Sequence, residues 1–441
     1  MAEGPGFRHD VVVVGAGAAG LACAADLGAA GLDVRLLEAE ESVGGRVRTD
    51  RVNGFITDRG FQVFNTGYPQ VRRRLDLPAL FLRPFTPGVL VHTDAGRLRL
   101  TDPTRRPRDG IGLLTGRRVK PRDLLAFGAL SARAMLSPAS RLRARPDVTT
   151  RTALAEAGFS EDFVETFFRP FLSGVFLEDS LETSARFFHL VWRSMLRGTL
   201  CLPRDGIGAV PAQLAAGLPP GVLLTSSPVT ELGPRGVVLG SGELRARAVV
   251  VATGAGAAAR LLPGLAPPRE RIVTTLYHAV ERSPLPEPTL MVDSRRRFLN
   301  SCVLTEVQPG YSSDRRSLVS TSVLGTPGPV EEAAVLKALA EAYGTDTGTW
   351  EPVHRVTVRG ALPAMAPPLL LSRTSRFAPG RYVCGDHRAT GSLQGALASG
   401  SRAAREVIAD LGRGASGEPL VNRWSNPPAR SEGRRRGPGA E

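Results

Sequence analysis

Three groups of residues in this 441-residue chain have the types and spacing to hold a phosphorylated ligand. The first is Gly15-Ala-Gly17-Ala18-Ala-Gly20, directly after the apolar run Asp10-Val-Val-Val-Val14. The second is Glu38-Ala39 with Gly44-Gly45-Arg46 behind it, and the third is Gly385-Asp386 ahead of an alanine-rich stretch. Amides bared by glycine at a helix N-terminus attract phosphate, because the helix dipole concentrates partial positive charge there. Each glycine has its own task. Gly15 permits the turn out of the strand, Gly17 lets a pyrophosphate approach the main chain, and Gly20 lets the helix pack closely on the sheet. Glu38 is placed to accept hydrogen bonds from a ribose diol and would repel a 2′-phosphate, so the expected ligand is FAD or NAD rather than NADP.

The elements that must carry these groups are legible around them. Four consecutive valines read as a buried parallel strand, residues 18–30 as a small-residue helix closing near Gly28 and Gly31, and Val34-Arg-Leu-Leu-Glu38 as a second strand. The glycine pattern needs this strand, turn, helix, strand unit of about 30 residues as its context. Glu38 is followed by Ala-Glu-Glu-Ser-Val-Gly-Gly-Arg46, then Val-Arg-Thr and Phe55-Ile-Thr-Asp58-Arg-Gly60. Here the chain resembles the flavoprotein superfamily of amine oxidases, phytoene desaturases and protoporphyrinogen oxidases, in which a similar Glu-Ala-x-x-x-x-Gly-Gly-Arg stretch wraps the FAD diphosphate. The resemblance implies FAD as cofactor. It puts the Gly44 and Gly45 backbone and the Arg46 guanidinium on phosphate or ribityl oxygens, and Ala18, Ala39, Gly60 and Phe61 beside the cofactor. No Ser-Gly-Gly-Cys stretch for covalent attachment is present, and Cys384 reads as a packing residue, so the FAD is expected to be noncovalent.

The likeness extends over roughly residues 11–412, with its specific motifs confined to the three cofactor segments. By resemblance, Val229 would read the adenine edge through its backbone, and Gly385 and Asp386 would hold the ribityl chain and pyrophosphate. A helix over 393–411 carrying Gly395, Ala396, Ser399 and Gly400 would run beneath the flavin. The amide of Leu393 at its start would face flavin N1 and O2, where reduction places negative charge.

The fold expected is α/β: a discontinuous Rossmann-like FAD-binding domain with an inserted α+β substrate-binding domain. Segments 8–70, 204–262 and 376–412 belong to the first, 71–203 form the helical part and 263–375 the sheet part of the second, and 413–441 read as a disordered tail. Within the insert, 89–100 read as a hairpin and 102–122 as a loop. Helices are expected over 124–136, 152–157, 163–171 (disturbed by Pro170) and 184–196. Their phenylalanines suit core packing, or in part an apolar substrate tunnel. Strands are expected near 271–280, 289–292, 301–306, 317–323 and 354–360, with a helix over 330–343.

Composition sets outer bounds. The length exceeds what one core usually holds. With 42% hydrophobic residues, a mean hydropathy of −0.05 and no apolar run near the roughly 20 residues that span a bilayer, a soluble protein is expected. Residues 1–9 lack the pattern of a signal peptide, which favours the cytoplasm. The net charge of +14 rests almost wholly on arginine, since Lys120 and Lys337 are the only lysines among 56 basic residues. Their dispersion argues for a solvated basic surface rather than nucleic-acid binding, with attraction to an anionic membrane or an acidic substrate as the alternative. Four scattered cysteines and six histidines show no metal-ligand spacing, so no metal is expected.

A bound flavin would carry the redox chemistry, leaving the protein to aim a substrate C–H or N–H at flavin N5 and exclude water. No residue is assigned as catalytic; His189, Arg193 and His387 are noted without a role. Amine oxidases of the superfamily commonly place a lysine near flavin N5, and neither Lys120 nor Lys337 falls in a matching place. The leading expectation is hydride transfer from a small apolar, polyprenoid-like substrate, drawn from a membrane surface by the basic exterior. The alternatives are an amine oxidase releasing peroxide, with an aromatic pair drawn from Phe61, Phe64 and Trp192, and a flavin-dependent isomerase or non-redox flavin protein.

Overall fold

Residues 11–14 have no polar side chain to satisfy and are at most 5% exposed, so their strand, His9–Val14, sits mid-sheet. The computed structural model describes residues 8–101, 105 and 119–414; the readings on residues 1–7, on most of the 102–122 loop and on the tail beyond 414 lie outside them. His9–Val14 pairs in parallel with Val34–Leu37 on one side and Gly242–Val251 on the other. Leu223–Leu224 extends the sheet past Val34–Leu37. The ten-residue strand Gly242–Val251 forks: its second half pairs in parallel with Arg381–Val383, its first half with the antiparallel strand Gly236–Leu239, which in turn pairs with Val229–Glu231. Three distant stretches of chain therefore end their strands along one edge of one sheet. Helices Ala18–Ala29 and Leu393–Gly414 pack together on it, so closely that a Cβ on Gly400 would lie 2.1 Å from the Ala19 carbonyl oxygen.

The second sheet has seven strands in the order Glu351–Pro363, Glu270–Val280, Ser317–Leu324, Asn300–Val303, Met291–Asp293, Gly88–Thr93, Gly96–Thr101. All neighbours are antiparallel except Met291–Asp293 with Gly88–Thr93. Helix Pro329–Tyr343 covers one face through Val335, Leu339 and Tyr343. Helices Pro121–Leu136, Arg169–Phe176 and Ala185–Arg197 gather on the other, where Phe163, Phe167, Phe168, Phe176, Phe187, Phe188 and Trp192 form one buried cluster with Val89, Val91 and Val292.

Pro170 disturbs its helix, as expected, without ending it. The chain runs from Glu161–Phe163 through a single π-helical stretch, Val164–Phe168, into Arg169–Phe176. Proline supplies no N–H and its ring crowds the carbonyl four residues back, and the widened turn removes that conflict. The expected strand over 301–306 also stops early, at Val303, and turns into the short helix Leu304–Val307.

Candidate active site

A cavity of about 860 Å³ lies between the two sheets. Of the residues named from the sequence for the cofactor, all line it except Gly20 and, on the helix beneath, Gly395, Ser399 and Gly400. Gly20 belongs instead to the packing beneath: a Cβ there would lie 1.9 Å from the Gly15 carbonyl oxygen, so the helix can approach the strand only with glycine. Gly15 needs its freedom for a positive φ of 102°, as does Gly44 at 114°. Gly17 needs it for neither reason. Its φ is −73°, and a Cβ would meet no protein atom within 4 Å, so only an occupant of the cavity explains a bare backbone there.

Around Gly17 the cradle is continuous. Gly44 bridges Gly17 and donates from its amide to the Ala16 carbonyl at 2.9 Å, which brings the second glycine pair over the first turn. Glu38, 8% exposed at the end of its strand, accepts from the amides of Ala16 (2.7 Å) and Glu40 (3.1 Å). A carboxylate has about four acceptor positions, so two remain for a ribose diol. Ser227, Val229 and Thr230 line the same end.

At the middle of the cavity Arg46 lines the wall beside Asp386. Its Nη2 donates to Asp386 Oδ1 at 2.6 Å, and its Nη1 donates to the carbonyls of Gly360 (3.3 Å) and Ala361 (2.9 Å). A partly buried guanidinium is stabilised by such partners, and Asp386 supplies the charge. The His387 amide also donates to Oδ1, so Asp386 Oδ2 receives no hydrogen bond from a described residue. Arg46 thus ties the first segment to the third and orients Asp386. Leu393 opens the helix beneath. The Ser392 hydroxyl accepts from the Gly395 amide at 3.0 Å and the Ser392 carbonyl from the Ala396 amide at 2.9 Å, while the Leu393 amide has no partner within the helix.

The sequence of the flavin containing amine oxidoreductase family matches this chain from residue 18 to residue 408. The chain belongs to that family. A stretch of 66 residues is 44% identical to protoporphyrinogen oxidase 2, chloroplastic/mitochondrial, of Arabidopsis thaliana, covering 15% of this chain and 13% of that protein. Cyclohexylamine oxidase of Brevibacterium oxydans superposes with a TM-score of 0.68 at 19% identity, over 92% of this chain and all of the other. An oxidoreductase of Methanosarcina mazei does so with 0.67 at 17%, over 91% and 100%. At such identities these structures share the fold. This flavin-containing amine oxidoreductase is an FAD-dependent oxidoreductase, and the open cradle at Gly17, the acceptor positions of Glu38 and the free Leu393 amide fit that cofactor.

The other end of the cavity is built by the seven-stranded sheet and helix Arg169–Phe176. Val273, Val358, Asn300 and Ser322 line it from the sheet, Gly174, Val175 and Leu177 from the helix and its end, and Phe61 and Gln62 from above. Of the three aromatic candidates only Phe61 is in the wall; Phe64 is buried beside Ala18 and Val71, and Trp192 in the phenylalanine cluster. The phenylalanines of the helical part are packed in that cluster and none of them lines the cavity. Neither lysine lines the cavity: Lys120 is exposed near Asp162, and Lys337 is on the outer helix. His189, Arg193 and His387 are also absent from the wall. Burial pushes His189 down to about 4, and Arg193 caps the carbonyls of Ala134 and Ser137. Asn300, Ser322 and Gly174 were missed because no motif marks them.

Proposed function

We propose that this flavoprotein oxidises an uncharged, mainly apolar small molecule by hydride transfer, in the manner of a desaturase or dehydrogenase. One observation carries the reading: the substrate end of the cavity is lined by valine, leucine, glycine, phenylalanine and neutral amide or hydroxyl groups. The charged residues in the wall are otherwise engaged or open to solvent. Arg46 holds Asp386, Arg59 holds Asp50, and Arg260, Glu270 and Arg359 are exposed. A permanently charged substrate group would be desolvated there without a partner, which costs several kcal/mol (~2 or more).

FAD, when bound, accepts the hydride and so supplies the oxidation. The protein holds it by the Gly15–Gly20 turn, Glu38, the Gly44-Gly45 backbone and the Arg46–Asp386 pair. The Leu393 amide, at the positive end of helix Leu393–Gly414, would stabilise negative charge on a reduced flavin ring. Gly60, with φ of 82°, and Phe61 line the cavity over the substrate sheet, where the phenyl ring would shield a bound substrate from water. The substrate comes from a membrane surface, which suits a polyprenoid-like molecule. Leu125 and Leu136, 76% and 84% exposed on helix Pro121–Leu136, stand beside exposed Arg122 and Arg133, a combination suited to an anionic interface.

The test is anaerobic titration of the holoprotein with polyenes and cyclic alkenes on one side and primary and secondary amines on the other. Bleaching of the flavin by the neutral set supports the reading. Bleaching by amines alone, with peroxide on admitting air, replaces it with amine oxidation. Conversion of a polyene to its isomer without net bleaching points to isomerisation.

A further inference from the structure

Between the Arg46–Asp386 pair and the substrate chamber the wall carries a side chain whose hydrogen bonding is only half used. Gln62 lines the cavity beside Phe61. Its Nε2 donates to the Arg46 carbonyl at 2.7 Å and to the Arg59 carbonyl at 3.3 Å. A carbonyl oxygen can only accept, so these bonds settle which end of the planar amide is which. Turned over, Oε1 would face two carbonyl oxygens. Oε1 therefore points away from both, and no described residue donates to it. Unlike the unpartnered Oδ1 of Asn300, it is not sealed in the interior, and Gln62 is only partly buried.

The two carbonyls flank one hairpin. Arg46 precedes strands Thr49–Val52 and Phe55–Asp58 and Arg59 follows them, and the Arg59 amide donates to the Arg48 carbonyl at 2.8 Å. Gln62 thus clips the hairpin's base. A clip needs only a donor; glutamine adds an acceptor that the clip does not use, and the clip holds that acceptor in one orientation.

What the acceptor meets follows from its place. Arg46 reaches Asp386 on one side of it, and Phe61, Val273 and Val358 wall the chamber on the other. With the ribityl chain at Asp386, as proposed above, a flavin ring that offers N5 to the chamber has to span the stretch of wall that Gln62 lines. An oxidised flavin ring has a single N–H, at N3, while N1, O2, O4 and N5 are acceptors that Oε1 would repel. We propose that Gln62 is a flavin-positioning residue, its Oε1 accepting a hydrogen bond from N3–H. Sliding the ring or turning it over would set acceptor against acceptor and leave N3–H unpaired, so the pairing selects one placement of the ring. The assignment rests on the ribityl placement and not on which substrate the chamber takes.

The experiment compares FAD with 3-methyl-FAD, in which a methyl group replaces the N3 proton. Dissociation constants for the full chain, stripped of flavin and titrated with each, are read from flavin fluorescence. Wild type is expected to prefer FAD, and Gln62→Leu to lower that preference about five- to tenfold, the worth of one hydrogen bond. Gln62→Lys, which keeps a donor for both carbonyls and offers no acceptor, lowers it in the same way and guards against an effect that comes from the hairpin. Variants that weaken FAD and 3-methyl-FAD by the same factor, or weaken neither, leave Gln62 a clip and overturn the proposal. An unchanged preference with weaker binding of reduced FAD alone puts the acceptor on N5–H and overturns the N3 assignment. Asp386→Ala is expected to weaken both flavins alike; full affinity for both in that variant overturns the ribityl placement instead.

Discussion

Gly17 and Gly20 are three residues apart, and replacing each tests a different thing. A side chain on Gly17 enters the cavity and touches no protein atom within 4 Å. Gly17→Val is therefore expected to fold, with circular dichroism and apoprotein melting close to wild type, while FAD affinity falls about 100-fold as the side chain occupies the path of the diphosphate. Gly20→Val puts its Cβ on the Gly15 carbonyl and is expected to yield no folded protein. Equal FAD affinity in Gly17→Val and wild type would remove the pyrophosphate from this turn. Asp58 makes a second residue-scale test. It accepts from the Thr49 hydroxyl (2.6 Å) and the Ile207 amide (2.9 Å), joining hairpin Thr49–Asp58 to the 205–208 turn, and burial pushes it from 3.8 up to about 6. The folded carboxyl thus holds its proton more tightly than the unfolded one, so this group's contribution is full below pH 3.8 and is lost as pH rises from there through about 6. Asp58→Asn keeps both hydrogen bonds on Oδ1 and carries no charge. Its stability should match wild type near pH 3 and exceed it by roughly 3 kcal/mol above pH 7, read from denaturant midpoints across that range. A gap that does not change with pH would mean that Asp58 is solvated.

At the scale of elements, the cofactor site depends on how closely helix Leu393–Gly414 lies against Ala18–Ala29. Gly400 makes that contact, and Gly400→Ala is expected to cost about 2–4 kcal/mol and to lower flavin content with the melting temperature, since both helices carry cofactor segments at their N-termini. Loss of stability with full flavin occupancy would separate the contact from the site. This half of the molecule was readable in the sequence because its signals are local. Valine runs, glycine spacing and the Gly385-Asp386 turn each lie within a few residues of what they build. The substrate half was readable as strands and helices but not as a site. Asn300 meets Ser322 through sheet register and Gly174 through the helix layer over that sheet, 126 residues away in the chain, and Met291–Asp293 pairs with Gly88–Thr93 from the far side of the helical insert. No spacing in the sequence encodes such pairings. The π-helical stretch before Pro170 was hidden for the same reason: proline announces a break, while the packing of Phe167, Phe168 and Phe176 in one core keeps the helix going.

The whole molecule carries a net charge of +14 although many of its arginines are paired: Arg297 with Asp293 and Glu341, Arg316 with Asp314 and Glu351, Arg376 with Asp410. The exposed ones among these pairs add little stability, and the net positive charge that remains attracts anionic surfaces until salt screens it. No helix among the described residues is long and apolar enough to cross a membrane, so any membrane contact through them is made from the surface. Helix Pro121–Leu136 presents Leu125, Ala129, Ala132 and Leu136 outward along one stripe, with Arg122 and Arg133 on its flank and its end held by Arg193 and Arg197 through the carbonyls of Ala134 and Met135. Burying two leucines in an interface contributes on the order of 1.5–3 kcal/mol each when complete. The holoprotein is therefore expected to sediment with phosphatidylserine-containing vesicles at low salt and to be released in part by high salt. The Leu125→Asp, Leu136→Asp double variant should lose at least about tenfold in bound fraction. Its flavin content and its turnover of a water-soluble substrate should stay unchanged, because neither leucine lines the cavity. A wild-type protein that stays in the supernatant at low salt would mean that the substrate reaches the chamber from solution.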